Sequence, residues 1–476
     1  MKDVLLLLPE ISVLFAALVS LLLAAFDRSY RVTWAVSVML AAGVLAVTCA
    51  CLFKEGQPFF AGIYQVDAFS QLLKAGIAVG LLLTLLASQT PGSIRPRTRG
   101  DVPLFLFVST AGMMILVSAT ELLTLYVALE LSAYGLYIMA ALNRSEREGS
   151  EAGAKYVLFG AASSAVSLYG ISMIFAVTHT TYIPKIVATG FGAGNAPMMI
   201  IAVILTLAGL LFKLGAFPFH AWVPDTYQGA PHQSATFIGT ASKVAGVGVI
   251  LRVLSMVASD AGELVQILVI LCVASMTVGN LAALVQRDIK RLLAYSTIAH
   301  AGYILLGVLT LTKLGLASAM FYVLIYVPIA FAPFLVICVL GQNGENPTLD
   351  SLAHLHKRSP LMALMLLVGM FGLAGIPPTA GFIGKWFLFS AALERGMYWL
   401  VLIGAVNATI GLYYYLQVVR AAYVSGKDMP EKLEPITVSL PAKLAALVTI
   451  GLITWTGFFP NWLWESCLRA AGALGG

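Results

Sequence analysis

IAVILTLAGLLFKLGAFPFH, residues 201–220, decides the reading of this chain. Twelve residues, apolar but for Thr206, run up to Lys213, and Pro218 follows five positions later, too soon for one uninterrupted helix. An apolar stretch with a lysine returns in SATFIGTASKVAGVGVIL (234–251), which carries Lys243, and the full combination with proline returns in IPPTAGFIGKWFLFSAAL (376–393), where Pro377 and Pro378 precede Lys385. A cation at the bilayer centre costs about 2.5–3.5 kcal/mol on insertion scales, so each lysine is a functional candidate. A helix interrupted at membrane depth persists only where protein or a water-lined cavity satisfies its backbone.

Composition supports a membrane setting for the whole chain. Of 476 residues, 60% are hydrophobic and 11% charged. About fourteen segments reach the ~20 residues of a span: roughly 4–26, 32–53, 68–88, 102–119, 121–142, 152–178, 197–217, 232–255, 263–284, 292–311, 318–340, 360–391 (interrupted), 398–422 and 439–459. The expectation is an all-α polytopic membrane protein forming one membrane domain. The first segment lacks an A-x-A cleavage site and reads as a retained helix.

The net charge of +6 points to topology, not to nucleic acid. An even number of spans puts both termini on one face. The opposite face gathers most of the basic residues, among them Arg28, Arg31, Arg95, Arg97, Arg99, Arg144, Arg147, Lys155, Arg287, Lys290, Arg291, Lys357, Arg358, Lys427 and Lys432. The terminal face keeps few, such as Lys2, Lys54 and Lys185. The positive-inside rule then places both termini outside, in the periplasm of a bacterial inner membrane. Cys49, Cys51, Cys272, Cys338 and Cys467 are scattered, with no C-x-x-C, and no Gly-rich phosphate loop occurs. No metal and no redox cofactor is expected in this chain.

Two blocks of five spans, 102–255 and 263–422, each contain a proline-interrupted helix with a lysine nearby. An odd helix number per block inverts the second copy, the plan of many secondary transporters. The N-terminal three helices (1–101) and a C-terminal segment (423–476) flank them. Pro218 should break the hydrogen bond to the Leu214 carbonyl and admit water there. Gly372, Gly375, Pro377, Pro378 and Gly381 should unwind the second break into a hydrated segment reaching Lys385. Pro328 and Pro333 should distort the span 318–340.

Glu130 lies deep in ELLTLYVALELSAYGLYIMAAL. Alone, a buried carboxylate takes up a proton and a buried lysine gives one up; together, Glu130 and Lys213 favour each other's charged form. Such switching is what a proton relay needs. Lys243 could pass the proton on, His300 serve as an intermediate, and Lys385 stand near an exit. Blander readings suit other residues. Lys74 reads as snorkelling or as a structural contact, and Glu10 as structural. His220, His232, His354 and His356 read as surface, and Arg287, Asp288, Lys290 and Arg291 as the membrane boundary.

LFKLGAFPFHAWVPDTYQGAP, ASKVAG, RLLAYSTIAHAGY and GIPPTAGFIGKW resemble the antiporter-like membrane subunits of proton-pumping NADH:quinone oxidoreductase, respiratory complex I. The resemblance covers nearly the whole chain, and is strongest to the sister subunit that keeps a lysine at Lys385 and lacks a long lateral helix. It implies two inverted five-helix repeats and Glu130–Lys213 as the first-half pair. Lys243 would be the connecting lysine and Lys385 the second-half lysine. It further implies neighbouring antiporter-like subunits as partners, with FMN, Fe–S clusters and quinone held by other subunits. The chain departs from the family locally: Ala230-Pro231-His232-Gln233 stands where A-P-x-P is frequent. The rivals are a subunit of a multisubunit cation/proton antiporter or membrane-bound hydrogenase, and, from another class, a stand-alone solute transporter. A solute carrier needs selective polar groups for its substrate, whereas here the midplane groups are sparse and titratable.

Overall fold

The computed structural model describes residues 3–26, 28–142, 147–189, 196–257, 262–424 and 434–474. Arg144, Lys427, Lys432 and Lys2 from the charge count lie outside these. The described residues form twenty α-helices: α1 Leu8–Ala25, α2 Tyr30–Ala50, α3 Ala68–Leu86, α4 Val102–Ser118, α5 Leu122–Ala140, α6 Arg147–Thr178, α7 Ile183–Thr189, α8 Ala196–Leu214, α9 Trp222–Gly229, α10 His232–Gly239, α11 Ala241–Leu254, α12 Gly262–Ala283, α13 Ile289–Val308, α14 Lys313–Leu340, α15 Leu355–Arg358, α16 Pro360–Ala374, α17 Ala380–Glu394, α18 Tyr398–Tyr423, α19 Leu440–Phe458 and α20 Asn461–Leu474. Twelve stretches are long and apolar enough to cross a bilayer, and Pro360–Ala374 is a shorter apolar helix. With α13, and with α16 and α17 taken as one interrupted span, these match the expected segments. The architecture is the all-helical one expected.

Helix ends follow local chemistry. Asp67 caps α3: its carboxylate accepts from Ser70 N at 2.8 Å, and Ser70 Oγ accepts from Asp67 N at 3.1 Å, a closed capping box. Asp288 caps α13 by accepting from Arg291 N at 2.8 Å. Pro328 and Pro333 do not end α14, which stays helical from Lys313 to Leu340. The two prolines withhold their N–H donors from the ladder without ending the helix.

Burial sorts the helices into a centre and a rim. The α10–α11 stretch is 100% buried and α14 89% buried, whereas α2 is 28% and α1 33% buried. The rim exposes Leu14, Phe15, Leu18, Trp399, Val406, Leu447 and Trp455. In water such surface would aggregate; in hydrocarbon it costs nothing. The α10–α11 stretch with Lys243 thus sits where lipid does not reach, and Lys213 of α8 and Lys385 of α17 are buried as well.

Two buried ion pairs anchor the first three helices to this centre. Lys74 Nζ lies 2.6 Å from Glu10 Oε1, and Tyr64 Oη donates to the same oxygen at 2.6 Å. Lys74 therefore does not snorkel; it is fully buried, because α1 supplies a counter-charge one helix away. Arg252 at the end of α11 donates to Asp67 Oδ2 at 2.8 Å, to Oδ1 at 3.3 Å and to Val117 O at 3.1 Å. Breaking a buried pair on one side leaves an uncompensated charge. Arg252→Leu should cost about 3–5 kcal/mol, read as a lowered unfolding temperature, and Asp67→Asn added to it should recover part of the loss. Equal stability of the single and double variants would refute this account.

Candidate functional site

Two helix breaks share one construction. At the end of α8, Gly215 takes φ 77°, its N–H and that of Ala216 both reach Leu211 O at 2.8 and 3.0 Å, and Pro218 follows. At the end of α16, Gly375 takes φ 80°, its N–H and that of Ile376 reach Phe371 O at 2.9 and 2.9 Å, and Pro377-Pro378 follow. A left-handed glycine is what allows both helix ends to close in this way. Each end leaves carbonyls without a helical partner, and in each a lysine supplies the donor. Lys243 Nζ, from α11, donates to Leu214 O at 3.0 Å and Lys213 O at 3.3 Å. Lys385 Nζ, from α17, donates to Ala374 O at 2.8 Å and Leu373 O at 3.0 Å. The Leu214 carbonyl, expected to be exposed to water by Pro218, is instead capped by an ammonium. The negative end of a helix dipole favours the cation. Each ammonium also faces an aromatic ring, Lys243 over Trp222 at 5.4 Å and Lys385 over Tyr303 at 4.9 Å.

Glu130 and Lys213 border one small cavity with Ser164, Gly209 and Phe212. They make no direct ion pair. Ser164 Oγ donates to Glu130 Oε1, and Lys213 Nζ donates to Ser132 Oγ at 2.7 Å. Ser132 is two positions from Glu130 on α5, so the two hydroxyls hold acid and base on either side of the same space. Lys213 is buried and Glu130 half-buried. Glycine makes the approach feasible: a Cβ at Gly209 would lie 3.2 Å from Ser167 Oγ.

His300 sits in a nest of hydroxyls. Its Nδ1 meets Tyr322 Oη at 2.7 Å and its Nε2 meets Tyr415 Oη at 3.0 Å. Tyr415 Oη continues to Ser296 Oγ at 2.5 Å, and Tyr326 Oη meets Thr297 Oγ1 at 3.0 Å. Tyr303, one turn along α13, packs on the His300 ring at 5.8 Å and lies under Lys385. Second-half groups thus join His300 to Lys385. No direct hydrogen bond among the described residues links Lys243 to His300.

Sequence reasoning missed the tyrosines, Ser132 and Ser164, since hydroxyls in apolar helices are common and only their convergence marks them. It also placed Lys290 at a solvated boundary. Lys290 is buried, and its ammonium donates to Gln228 O at 2.8 Å, Ala230 O at 2.6 Å and Asn346 Oδ1 at 3.0 Å. Beside it, Asp225 of α9 binds Lys155 at 2.5 Å and Arg291 at 2.7 Å. Burial alone would raise the Asp225 carboxyl; the two cations outweigh it and hold the group below the usual carboxylate range. His232 is likewise buried, not surface. His220 and His356 are not among the buried residues, and His354 is.

The family model described as NADH:quinone oxidoreductase/Mrp antiporter, TM, matches residues 119–411. The chain is 43% identical over 468 residues to NADH-quinone oxidoreductase subunit N 2 of Syntrophobacter fumaroxidans, covering 98% of each. It is 38% identical over 470 residues to subunit N of Nitrosomonas europaea, covering 97% of this chain and 96% of the other. A chain of respiratory complex I from Thermus thermophilus superposes with TM-score 0.82 at 31% identity, covering 96% of this chain and 98% of that one. A chain of the Mrp complex from Dietzia sp. superposes with TM-score 0.88 at 21% identity over 98% and 97% of the two chains, a likeness of fold.

The seating of Lys385 against the break is open to test. A Cβ at Gly375 would lie 2.9 Å from Lys385 Cδ, whereas Gly396, at φ 76°, has open space around its Cβ position. Gly396→Ala should show only the left-handed penalty of about 1–2 kcal/mol. Gly375→Ala should lower the unfolding temperature further and displace Lys385. Equal effects of the two substitutions would mean that Lys385 does not rest on Gly375.

Proposed function

The chain belongs to the NADH:quinone oxidoreductase/Mrp antiporter membrane-subunit family, as a subunit N, and we propose that it moves protons through Glu130, Lys213, Lys243, His300 and Lys385. It is a subunit of an enzyme complex, NADH-quinone oxidoreductase, and partners with other antiporter-like membrane subunits. FMN, Fe–S clusters and quinone are expected in other subunits of the complex, where electrons move; this chain couples their reaction to proton transfer. The segments 102–255 and 263–422 are assigned as inverted repeats between the flanking segments 1–101 and 423–476. The bacterial inner membrane, with both termini periplasmic, is the assigned location.

The observation that carries this reading is the pair of lysine-capped helix breaks. Neither Lys243 nor Lys385 faces a carboxylate within ion-pair distance among the described residues; each ammonium is held by neutral dipoles. A fixed counter-ion would lock the proton in place. Carbonyls and a ring hold it weakly enough for a second cation to displace it. Lys243 caps the carbonyl of Lys213 itself, so a charge arriving on Lys213 raises the cost of charge on Lys243 through a low-dielectric interior. That is a proton moving by repulsion. Glu130, across the shared cavity, sets the charge on Lys213. His300, between two tyrosine hydroxyls, can accept at one nitrogen and donate at the other.

The antiporter and hydrogenase reading shares the fold, but relatives covering nearly the whole chain are named as subunit N.

Lys243→Met should assemble with its partners yet lower proton pumping by about tenfold or more in reconstituted vesicles. Lys243→Arg should not restore it, since a guanidinium does not release its proton near neutral pH. Full pumping by the methionine variant would reduce Lys243 to a helix cap. Glu130→Gln should lower pumping in the same assay.

A further inference from the structure

The basic-face end of α10 holds a group that the relay above does not use. His232 opens the helix and is 2% exposed. Among the described residues, neither ring nitrogen completes a hydrogen bond. The ring lies against the turn that follows α14. Its Nε2 is aimed at Gly341, where a Cβ would sit 2.2 Å away, and the carbonyls of Gly341 and Glu345 are the acceptors nearest the ring; they can serve only its one N–H, and its second nitrogen meets no donor among the described residues. That turn is at the surface, with Gln342, Asn343 and Glu345 exposed. A buried polar atom left unpaired costs about 1–3 kcal/mol, which an apolar side chain of similar volume would avoid. Packing alone therefore gives no reason for an imidazole here.

Toward the membrane interior, α10 presents a line of hydroxyls. Thr236 Oγ1 donates to His232 O at 2.7 Å, and Thr240 Oγ1 donates to Thr236 O at 2.7 Å, one turn each along the same helix face. Lys243 follows three residues later, its N–H on Thr240 O at 3.0 Å. At 1.5 Å per residue, His232 and Lys243 are about 16 Å apart along the axis. The groups around the line come from several elements. Lys290 of α13 is the charged group acting on the ring. Cys338 Sγ of α14 lies 3.7 Å from Thr236 Oγ1, and the buried Tyr227 of α9 packs beside Gly239. Ser93 Oγ accepts from His232 N at 3.4 Å, and Ser234 Oγ donates to Met139 O of α5 at 3.1 Å.

We propose that His232 is a further proton carrier of this chain, taking protons from the basic face and feeding them along Thr236 and Thr240 to Lys243. The proposal rests on the proton-carrying reading of Lys243. The neutral ring starts with its proton on Nδ1. Nε2 takes a proton from water at the Gly341–Glu345 turn, and Nδ1 releases its own toward the threonine line. The ring is left as the other tautomer and resets by rotation or by exchange with the same water, so the ring itself neither gains nor loses a proton while one passes from the water toward Lys243.

The test uses the whole complex in vesicles, with quinone reduction and proton pumping measured together on His232→Gln, Thr236→Val, Lys243→Met and the parent. His232→Gln and Thr236→Val should each lower pumping about fivefold or more, with NADH oxidation by an artificial acceptor unchanged. His232→Ala should regain pumping with added imidazole and not with pyrazole, which fills the same space and is far less basic. Parental pumping in both His232→Gln and Thr236→Val, with Lys243→Met impaired, would overturn this proposal alone. Parental pumping in all three would instead remove the reading of Lys243 on which it rests. Equal rescue by pyrazole would make His232 a packing residue and overturn it as well. Should His232 variants fail to assemble, Thr236→Val decides, since it keeps the turn contacts intact.

Discussion

Every interior helix end in this molecule must find donors for its last carbonyls without help from water. In hydrocarbon an unsatisfied backbone group costs several kcal/mol, so a helix broken at mid-depth survives only with an internal partner. Here the partner is an ammonium. Lys243 and Lys385 each close a glycine-terminated, proline-followed break, and the same bonds that stabilise the fold hold the two groups proposed to exchange protons. Structure and chemistry are therefore not separable at these positions. The protonated form completes the backbone; the neutral form, which keeps N–H donors, completes it less strongly.

Much of this was legible in the sequence. Lysine in an apolar run with proline close by is a strong signal because both residues are costly there, and 201–220 and 376–393 carried it. The all-helical architecture followed from span lengths. What was not legible was partnership. Glu10 and Lys74 lie far apart in the chain, and each read alone looks like an edge residue; only the packing of α1 on α3 through the intervening α4 and α2 region makes them a pair at 2.6 Å. Pro218 was rightly seen to free the Leu214 carbonyl, but the donor lies in another helix, 29 residues on. Glu130 and Lys213 were expected to meet directly or through one water; they border one cavity, and each is hydrogen-bonded to a serine, which sequence cannot distinguish from the many other serines of these helices.

The distribution of burial explains why the charges sit where they do. The α10–α11 stretch is wholly enclosed, and α14 nearly so. Desolvation is most severe there, and for that reason small changes in neighbouring charge have large effects on proton affinity. The rim helices α1, α2 and α19 expose apolar residues and can meet lipid or partner subunits without disturbing that centre. Arg252 and Asp67 tie the last turn of α11 to the first residue before α3, so the enclosed helix is fixed at one end by an ion pair and interrupted near the other, at Thr240.

That asymmetry bears on direction. A helix pinned at Arg252 and broken at Thr240 has its freedom on the basic-face side, where α10 begins. Lys290 grips the connection between α9 and α10 through Gln228 O and Ala230 O, and Asp225 draws Lys155 and Arg291 together just outside it. Lys290 thus ties α13 to Gln228 of α9 and to Ala230, just before α10. Lys243 lies three residues beyond the break at Thr240 and holds two carbonyls at the end of α8. The charged clamp on the basic face and the lysine-capped break inside the membrane are therefore joined through one helix pair, α10 and α11, whose enclosure keeps both in a setting where unpaired backbone groups are costly.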